Sequence, residues 1–247
     1  LKSDATTLNN WGNNVALAVE DNDSGLVSRD EYLGVFYPSL FTSDNAGNNV
    51  VVPPSHGMLR TLALSDQVSF PWFAPAGTRR GGITNASAAG FVDAEGEFKS
   101  IALNEGQRDT LYALNVNPIT FLTGAGLVNF GQKTRARNAS ALDRINVARL
   151  VIYLRSQLKK LAKPYIFEPN DKITRDEIKA QTDSLMLELV SQRALYDFLV
   201  VCDESNNTPA RIDRNELYLD IAIEPVKAVE FIYIPLRLKN TGEIAGL

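Results

Sequence analysis

At 247 residues, with 45% hydrophobic and 22% charged side chains, the chain can bury a large core and has an ordinary globular composition. No window approaches eighteen uninterrupted apolar residues, so no helical membrane span is expected, and a single cysteine, Cys202, excludes an internal disulfide. The net charge of −4 conceals segregation: residues 133–163 carry nine Lys and Arg against Asp143 alone, a local +8 that leaves −12 for the remainder. Such separation points to a surface that meets something acidic.

The chain begins at Leu1 with neither a methionine nor a signal pattern, which reads as a fragment or a processed product. Its first fifty residues are rich in Asn, Asp, Ser and Gly, with β-prone islands at 15–19 and 32–41 that predict two strands among loops. After Pro53-Pro54 a helix is expected over 55–68, with Ser55 as its N-cap. Pro71-Trp-Phe-Ala-Pro-Ala-Gly77 is a rigid aromatic turn that cannot be helix interior. A short helix is expected over 104–114. Residues 119–122 and 127–130 flank Thr123-Gly-Ala-Gly126 as a hairpin with a glycine turn.

The longest helix should run over 140–162. A second should begin at Thr174, where Thr174-Arg-Asp-Glu177 fits a capping box and Ile178, Leu185 and Leu189 share a face. Strands are expected from Phe198, from Leu217 and from Val229. In the middle one, Leu217, Leu219, Ile221 and Ile223 alternate with polar or small residues. The last, Val229-Glu-Phe-Ile-Tyr-Ile-Pro-Leu-Arg-Leu238, contains Pro235, which has no donor for a ladder and confines the run to an edge. Followed only by a polar nonapeptide, this run is a candidate for pairing with another molecule. Helices and strands are mixed and the closing connections are too short for crossovers. The expected class is therefore α+β: a mixed sheet with packed helices, and a C-terminal edge strand available for strand addition between subunits. One domain is expected, with a loop-rich first half (1–135), a helix-helix-strands core (136–238) and a tail (239–247).

On a helical wheel, Val147, Leu150, Val151, Leu154, Leu158 and Leu161 share one arc, while Arg144, Arg149, Arg155, Lys159, Lys160 and Lys163 lie opposite. A solvated basic face would explain this. Ile145 and Ile152, however, sit inside the basic arc, as aliphatic groups do on a contact surface for an acidic partner.

Chemistry is poorly supplied. The lone His56 follows Pro-Pro-Ser with no evident partner, and reads as a capping or packing residue. Cys202, in an apolar run, reads as a buried thiol. One His and one Cys do not make a zinc site. Gly124-Ala-Gly126 lacks the third glycine of a dinucleotide fingerprint, and no phosphate-binding loop motif occurs. Gly77-Thr-Arg-Arg-Gly-Gly82 reads either as an anion-binding turn or as a bare turn. Glu20-Asp-Asn-Asp-Ser-Gly25 with Glu31 has two calcium-loop positions but Glu where the first ligand should be Asp, and reads as an acidic surface loop. No catalytic, cofactor or metal residues are assigned, and no enzymatic activity is expected.

Several segments in fixed order resemble one family, the contractile tail sheath proteins of myophages, of the T-even-like and giant-phage type. They are Val52-Pro-Pro-Ser-His-Gly-Met-Leu-Arg-Thr-Leu-Ala-Leu-Ser-Asp66, Phe70-Pro-Trp-Phe-Ala-Pro-Ala-Gly77, Leu114-Asn-Val-Asn-Pro-Ile-Thr-Phe121 and Gly124-Ala-Gly-Leu-Val-Asn-Phe-Gly-Gln-Lys-Thr134. They continue with Asp143-Arg-Ile-Asn-Val-Ala-Arg-Leu150, Phe167-Glu-Pro-Asn-Asp171, Val200-Val-Cys-Asp-Glu-Ser-Asn-Asn-Thr-Pro209, Ile212-Asp-Arg-Asn215 and Glu224-Pro-Val-Lys-Ala-Val-Glu-Phe231. The resemblance implies a virion protein, assembled in the host cytoplasm, that stacks as helical rings around a tail tube and contracts to drive the tube through the host envelope. It implies the tube, baseplate and tail terminator as partners, and no cofactor. It places an inter-subunit strand at Val229, Phe231, Ile232, Tyr233 and Ile234, and tube-facing candidates at Arg144, Ile145, Ile152, Arg155, Lys159 and Lys163. Against it stands a nucleic-acid-binding module using the basic helix, disfavoured by a pI of about 5.2.

Overall fold

The computed structural model describes Trp11, Ala18, Val19 and residues 29–234. Strands β1 (Val35–Tyr37), β2 (Ser39–Ser43) and β3 (Asn49–Val52) open the described chain, followed by helices α1 (Pro54–Val68) and α2 (Gly77–Arg80). Next come β4 (Ala88–Val92), β5 (Phe98–Ser100), α3 (Glu105–Ala113), β6 (Val116–Leu122) and β7 (Gly126–Asn129). The second half holds α4 (Ile145–Ala162), α5 (Lys172–Ser191), β8 (Leu195–Val201), α6 (Pro209–Ile212) and β9 (Asp220–Pro225). The fold is α+β as expected, with its strands in three small sheets, the mixed sheet β1-β6-β7 and the sheets β3-β2-β4-β5 and β8-β9. β1 runs parallel to β6 and every other pairing is antiparallel.

The expected hairpin is present as β6 and β7, with Ile119 opposite Asn129. Gly124 and Gly126 turn it with φ of 85° and 77°, a region that glycine enters without a Cβ clash. The short helix is capped as its sequence dictates: Asn104 accepts from the Gln107 backbone N–H at 2.9 Å and Gln107 returns a bond to the Asn104 N–H at 3.0 Å. Other boundaries differ from expectation. Proline takes the first position of α1, where its fixed φ suits a helix start and its missing N–H costs nothing, so Ser55 is not the N-cap. α5 starts two residues before Thr174, because the Asp171 carboxylate accepts from the Thr174 N–H at 2.9 Å and caps the helix itself. Ser140 caps a 3-10 turn over Ala141–Asp143, and α4 follows only at Ile145. Ala18 and Val19, the described part of the first β-prone island, are helical.

Three apolar clusters hold these elements. Trp11, Val35, Tyr37, Leu111 and Val116 form one, and Leu40, Met58, Ile83, Ile119 and Leu127 the second, both within the first half. In the third, Leu150 and Leu154 of α4 meet Met186 and Leu189 of α5 and Leu195 and Val200 of β8. Trp72 of the aromatic turn belongs to this last cluster. Its ring stacks on Phe70 at 4.8 Å and meets Tyr153 edge-on at 5.3 Å, and its indole N–H donates to the Gln192 carbonyl at 3.1 Å. Trp72 thus ties the first half to the second.

Leu150 is 1% exposed. Truncation to Ala, by Leu150→Ala, is expected to destabilise the fold by about 2–5 kcal/mol, read from the denaturant midpoint at unchanged slope.

Candidate assembly surfaces

The residues singled out by sequence fall on two surfaces: the α4 helix and the segment after β9. α4 buries Ile145, Val147, Ala148, Leu150 and Leu154, so the apolar arc faces the core as its spacing dictates. The opposite face keeps Arg155, Lys159, Lys160 and Lys163 exposed, with Ile152 among them at 53% exposure. Two tube-facing candidates leave this surface. Ile145 is buried at the first turn, its Cδ1 lying beside Gly34 and its N–H donating to the Gln132 carbonyl at 2.7 Å. Arg144 is turned away into an ion pair described below. Arg149 is also committed, holding Asp66 at 2.5 Å. The exposed cationic stripe is therefore the C-terminal two-thirds of α4, with Arg155 lying 5.8 Å from the centre of the Tyr32 ring, and it also complements the helix dipole.

The sheet β8-β9 packs its inner face, with Phe198, Val200, Ile221 and Ile223, on the third cluster. Its outer face shows Tyr196 and Leu199. The two strands pair with each other alone, so among the described residues each keeps one edge of backbone donors and acceptors open. Past Pro225 the ladder lingers for one bond, Val226 N–H to the Ala194 carbonyl at 3.0 Å. From there to Ile234 the chain forms no strand of its own, and residues 235–247, with Pro235, lie outside the described residues. Val229, Phe231, Ile232, Tyr233 and Ile234 are 64–87% exposed, a run of large apolar side chains that the described residues leave mostly uncovered.

One residue in that run behaves differently. The Glu230 carboxylate accepts a forked pair from Arg144, Nε to Oε1 at 2.6 Å and Nη2 to Oε2 at 3.0 Å. Gln132 Nε2 donates to it at 3.1 Å, and the Tyr112 phenol stands close enough to influence its charge. The Glu230 side chain is only 15% exposed. Burial alone would raise its pKa, but the hydrogen bonds and charge of Arg144 outweigh this and hold the carboxyl below its ordinary range. Arg144 is correspondingly raised despite its burial, and burial pushes the Tyr112 phenol up. Beside the pair, a cavity of about 670 Å³ opens between the 225–231 segment and the start of α4, lined by Ser140, Val147, Ala228 and Phe231. Sequence reading missed Glu230, Gln132 and Tyr112. The available signal was the lone acid inside an otherwise apolar terminal run.

The remaining sequence candidates stay apart. His56 is exposed on the first turn of α1. Cys202 is 1% exposed, and burial raises its thiol pKa. The Gly77–Arg80 turn uses its Gly81 N–H on the Gly77 carbonyl at 2.8 Å. Residues 20–28 of the acidic loop lie outside the described residues. Among the described residues no acid, His and Cys cluster suits a metal ion, and no helix is long and apolar enough to cross a membrane.

Residues 138–239, which contain both surfaces, match the phage tail sheath C-terminal domain family. The tail sheath protein of Vibrio phage KVP40 is 38% identical over 199 residues, covering 79% of this chain and 28% of that protein. That of Enterobacteria phage T4 is 34% identical over 200 residues, covering 79% and 29%. The chain belongs to the phage tail sheath family. It spans less than a third of the length of these relatives. The fold is shared with the sheath complex of an extracellular contractile injection system (PVC) in its contracted state. That match has a TM-score of 0.75 at 19% identity, covering 91% of this chain and 60% of that one. The helical sheath of the anti-feeding prophage, also contracted, gives 0.73 at 22% identity, covering 87% and 58%.

Because the folded-state pKa of Glu230 is depressed, its contribution is complete above the unfolded value of about 4.3 and is lost as pH falls through the folded value. Amide order parameters for residues 227–230 are expected to hold from neutral pH to about 5 and to drop in more acid solution.

Proposed function

We propose that this chain is part of a structural subunit of a contractile tail sheath, which polymerises as stacked rings around a tail tube and contracts to drive it through the host envelope. The observation that carries this reading is the pairing of an open two-stranded sheet with an unpartnered apolar segment, in a chain of the tail sheath family. Residues 229–234 offer side chains of strand-forming type, and β8 and β9 offer open edges. An arm from one copy laid along the sheet of the next would gain backbone hydrogen bonds and cover Phe231, Tyr233 and their neighbours. Such links tolerate a change in ring geometry, because the strand moves with the sheet that holds it while its own chain flexes between the two. Contraction then needs only that the compact packing be lower in free energy than the extended one.

The basic stripe of α4 is the face we assign to the tube. Ile152, Arg155, Lys159 and Lys163 supply an apolar centre within a cationic field, suited to an acidic partner. No step requires a cofactor or a reacting group. The subunit is accordingly read as a virion component that meets the baseplate and terminator at the ends of the tail, assembled in the host cytoplasm.

Electron microscopy of the full-length protein is expected to show long hollow helical polymers. Dispersed particles would count against the reading. Removing residues 229–247 is expected to abolish co-assembly with intact subunits. Reversing charge with Arg155→Glu and Lys159→Glu is expected to abolish tube binding in a pull-down. Because both residues are exposed, these changes should leave the unfolding free energy within about 0.5 kcal/mol.

A further inference from the structure

We infer that Glu230 is a positioning residue for the terminal arm: clasped by Arg144 and Gln132 beside Tyr112, it fixes where and in which direction the arm leaves the subunit. This rests on the reading of residues 229–247 as an assembly strand.

The geometry is selective. Between the last ladder bond at Val226 and the end of the described segment, Glu230 is the one described residue with a hydrogen bond to the rest of the chain, and it has three. Its neighbours Val229 and Phe231 are 79% and 64% exposed, so apolar packing does not hold them. The partners come from separate places. Arg144 stands at the N-terminus of α4, Gln132 in the connection after β7, and Tyr112 on α3. Two of them are secured in turn. Lys133 Nζ donates to the Tyr112 carbonyl at 2.8 Å and lies 4.2 Å from the centre of its ring. Asp143 pairs with Arg144 at 3.1 Å. The forked guanidinium orients the carboxylate as well as attracting it, because two parallel bonds fix a plane where one would allow rotation.

The consequence concerns reach. With the clasp closed, free chain begins at residue 231. With it open, free chain begins at 227, and four more residues add up to about 14 Å of extended length. An arm with that slack can turn back onto the open edge of its own β8-β9 sheet. Pairing within one chain is favoured over pairing between chains by its higher effective concentration. The clasp denies the arm that return and directs it outward. A carboxylate suits the task because it is held by direction and charge without burying the apolar residues on either side, which stay available to the next subunit.

The test uses the full-length protein with Glu230→Ala, Arg144→Lys and the exchanged pair Arg144→Glu with Glu230→Arg. Three measurements are made: the rate of limited proteolysis within 226–235 in unpolymerised subunits, the thermal midpoint, and the critical concentration for polymer by sedimentation. Glu230→Ala is expected to raise both the cleavage rate and the critical concentration by about tenfold while the thermal midpoint falls by only a few degrees, since the lost bonds lie outside the core. Arg144→Lys keeps the charge and loses the fork, and should fall between Glu230→Ala and the unaltered protein. The exchanged pair should recover part of the assembly. If Glu230→Ala and Arg144→Lys polymerise at the unaltered concentration with unaltered cleavage, the inference is overturned. If removal of 229–247 also leaves assembly intact, the assembly-strand reading itself fails. Loss of assembly on removal with no effect of Glu230→Ala overturns the clasp alone.

Discussion

The insertion of Trp72 between α4 and α5 is the constraint on which the arrangement of this chain depends. The side chain arrives from a proline-bounded turn in the first half and fills the cluster made by Leu150, Leu154, Met186 and Leu189 in the second. Its indole N–H is satisfied by the Gln192 carbonyl, at the end of α5, so burial of the ring leaves no unpaired donor. Asn146 donates to the Trp72 carbonyl at 3.4 Å, joining the backbone of the turn to α4. The placement of α4, and with it the basic stripe and Arg144, follows from this contact.

A second set of polar contacts carries the same placement to the chain end. Asn117, fully buried on β6, donates to the carbonyls of Val35 and Lys133 at 3.0 and 2.8 Å and accepts from the Lys133 N–H at 2.7 Å. Asn129 donates to the carbonyls of Pro75 and Gly131 at 2.8 and 2.7 Å. Buried amides used to this extent specify a single path for the connection between β7 and α4, because displacing it would leave several polar groups without partners. That connection presents Gln132 to Glu230. The terminal arm is thus attached to the most firmly specified part of the backbone, although its own apolar residues remain uncovered.

The open sheet is the counterpart of the uncovered arm. Two antiparallel strands are marginal by themselves, and β8-β9 persists because its inner face packs on two helices. Packing on one face does nothing for the edges, which in an assembled protein are places for another strand. Among the described residues the core beneath β8-β9 is closed while the edges of the sheet stay open, so a strand could be added there without refolding that core.

Local sequence determined whatever depends on near neighbours. The α4 apolar arc, the β6-β7 glycine turn, the short helix after Asn104 and the alternation through Ile221 and Ile223 were all legible, because each is satisfied within a few residues. The same local logic misplaced Ser55 and Thr174 as caps, since Pro54 and Asp171 competed for those positions and spacing alone does not rank them. It also placed Ile145 and Arg144 on the exposed face of α4, because a wheel records direction from the axis and not which other chain segments arrive there. The order of segments was enough to indicate the family, but the division of the strands into three small sheets depended on pairings such as β1 with β6, separated by 81 positions. The role of Glu230 was likewise decided only by tertiary structure. Its three partners lie 86 to 118 positions away in sequence, and a carboxylate becomes an anchor only when the fold brings those groups to it.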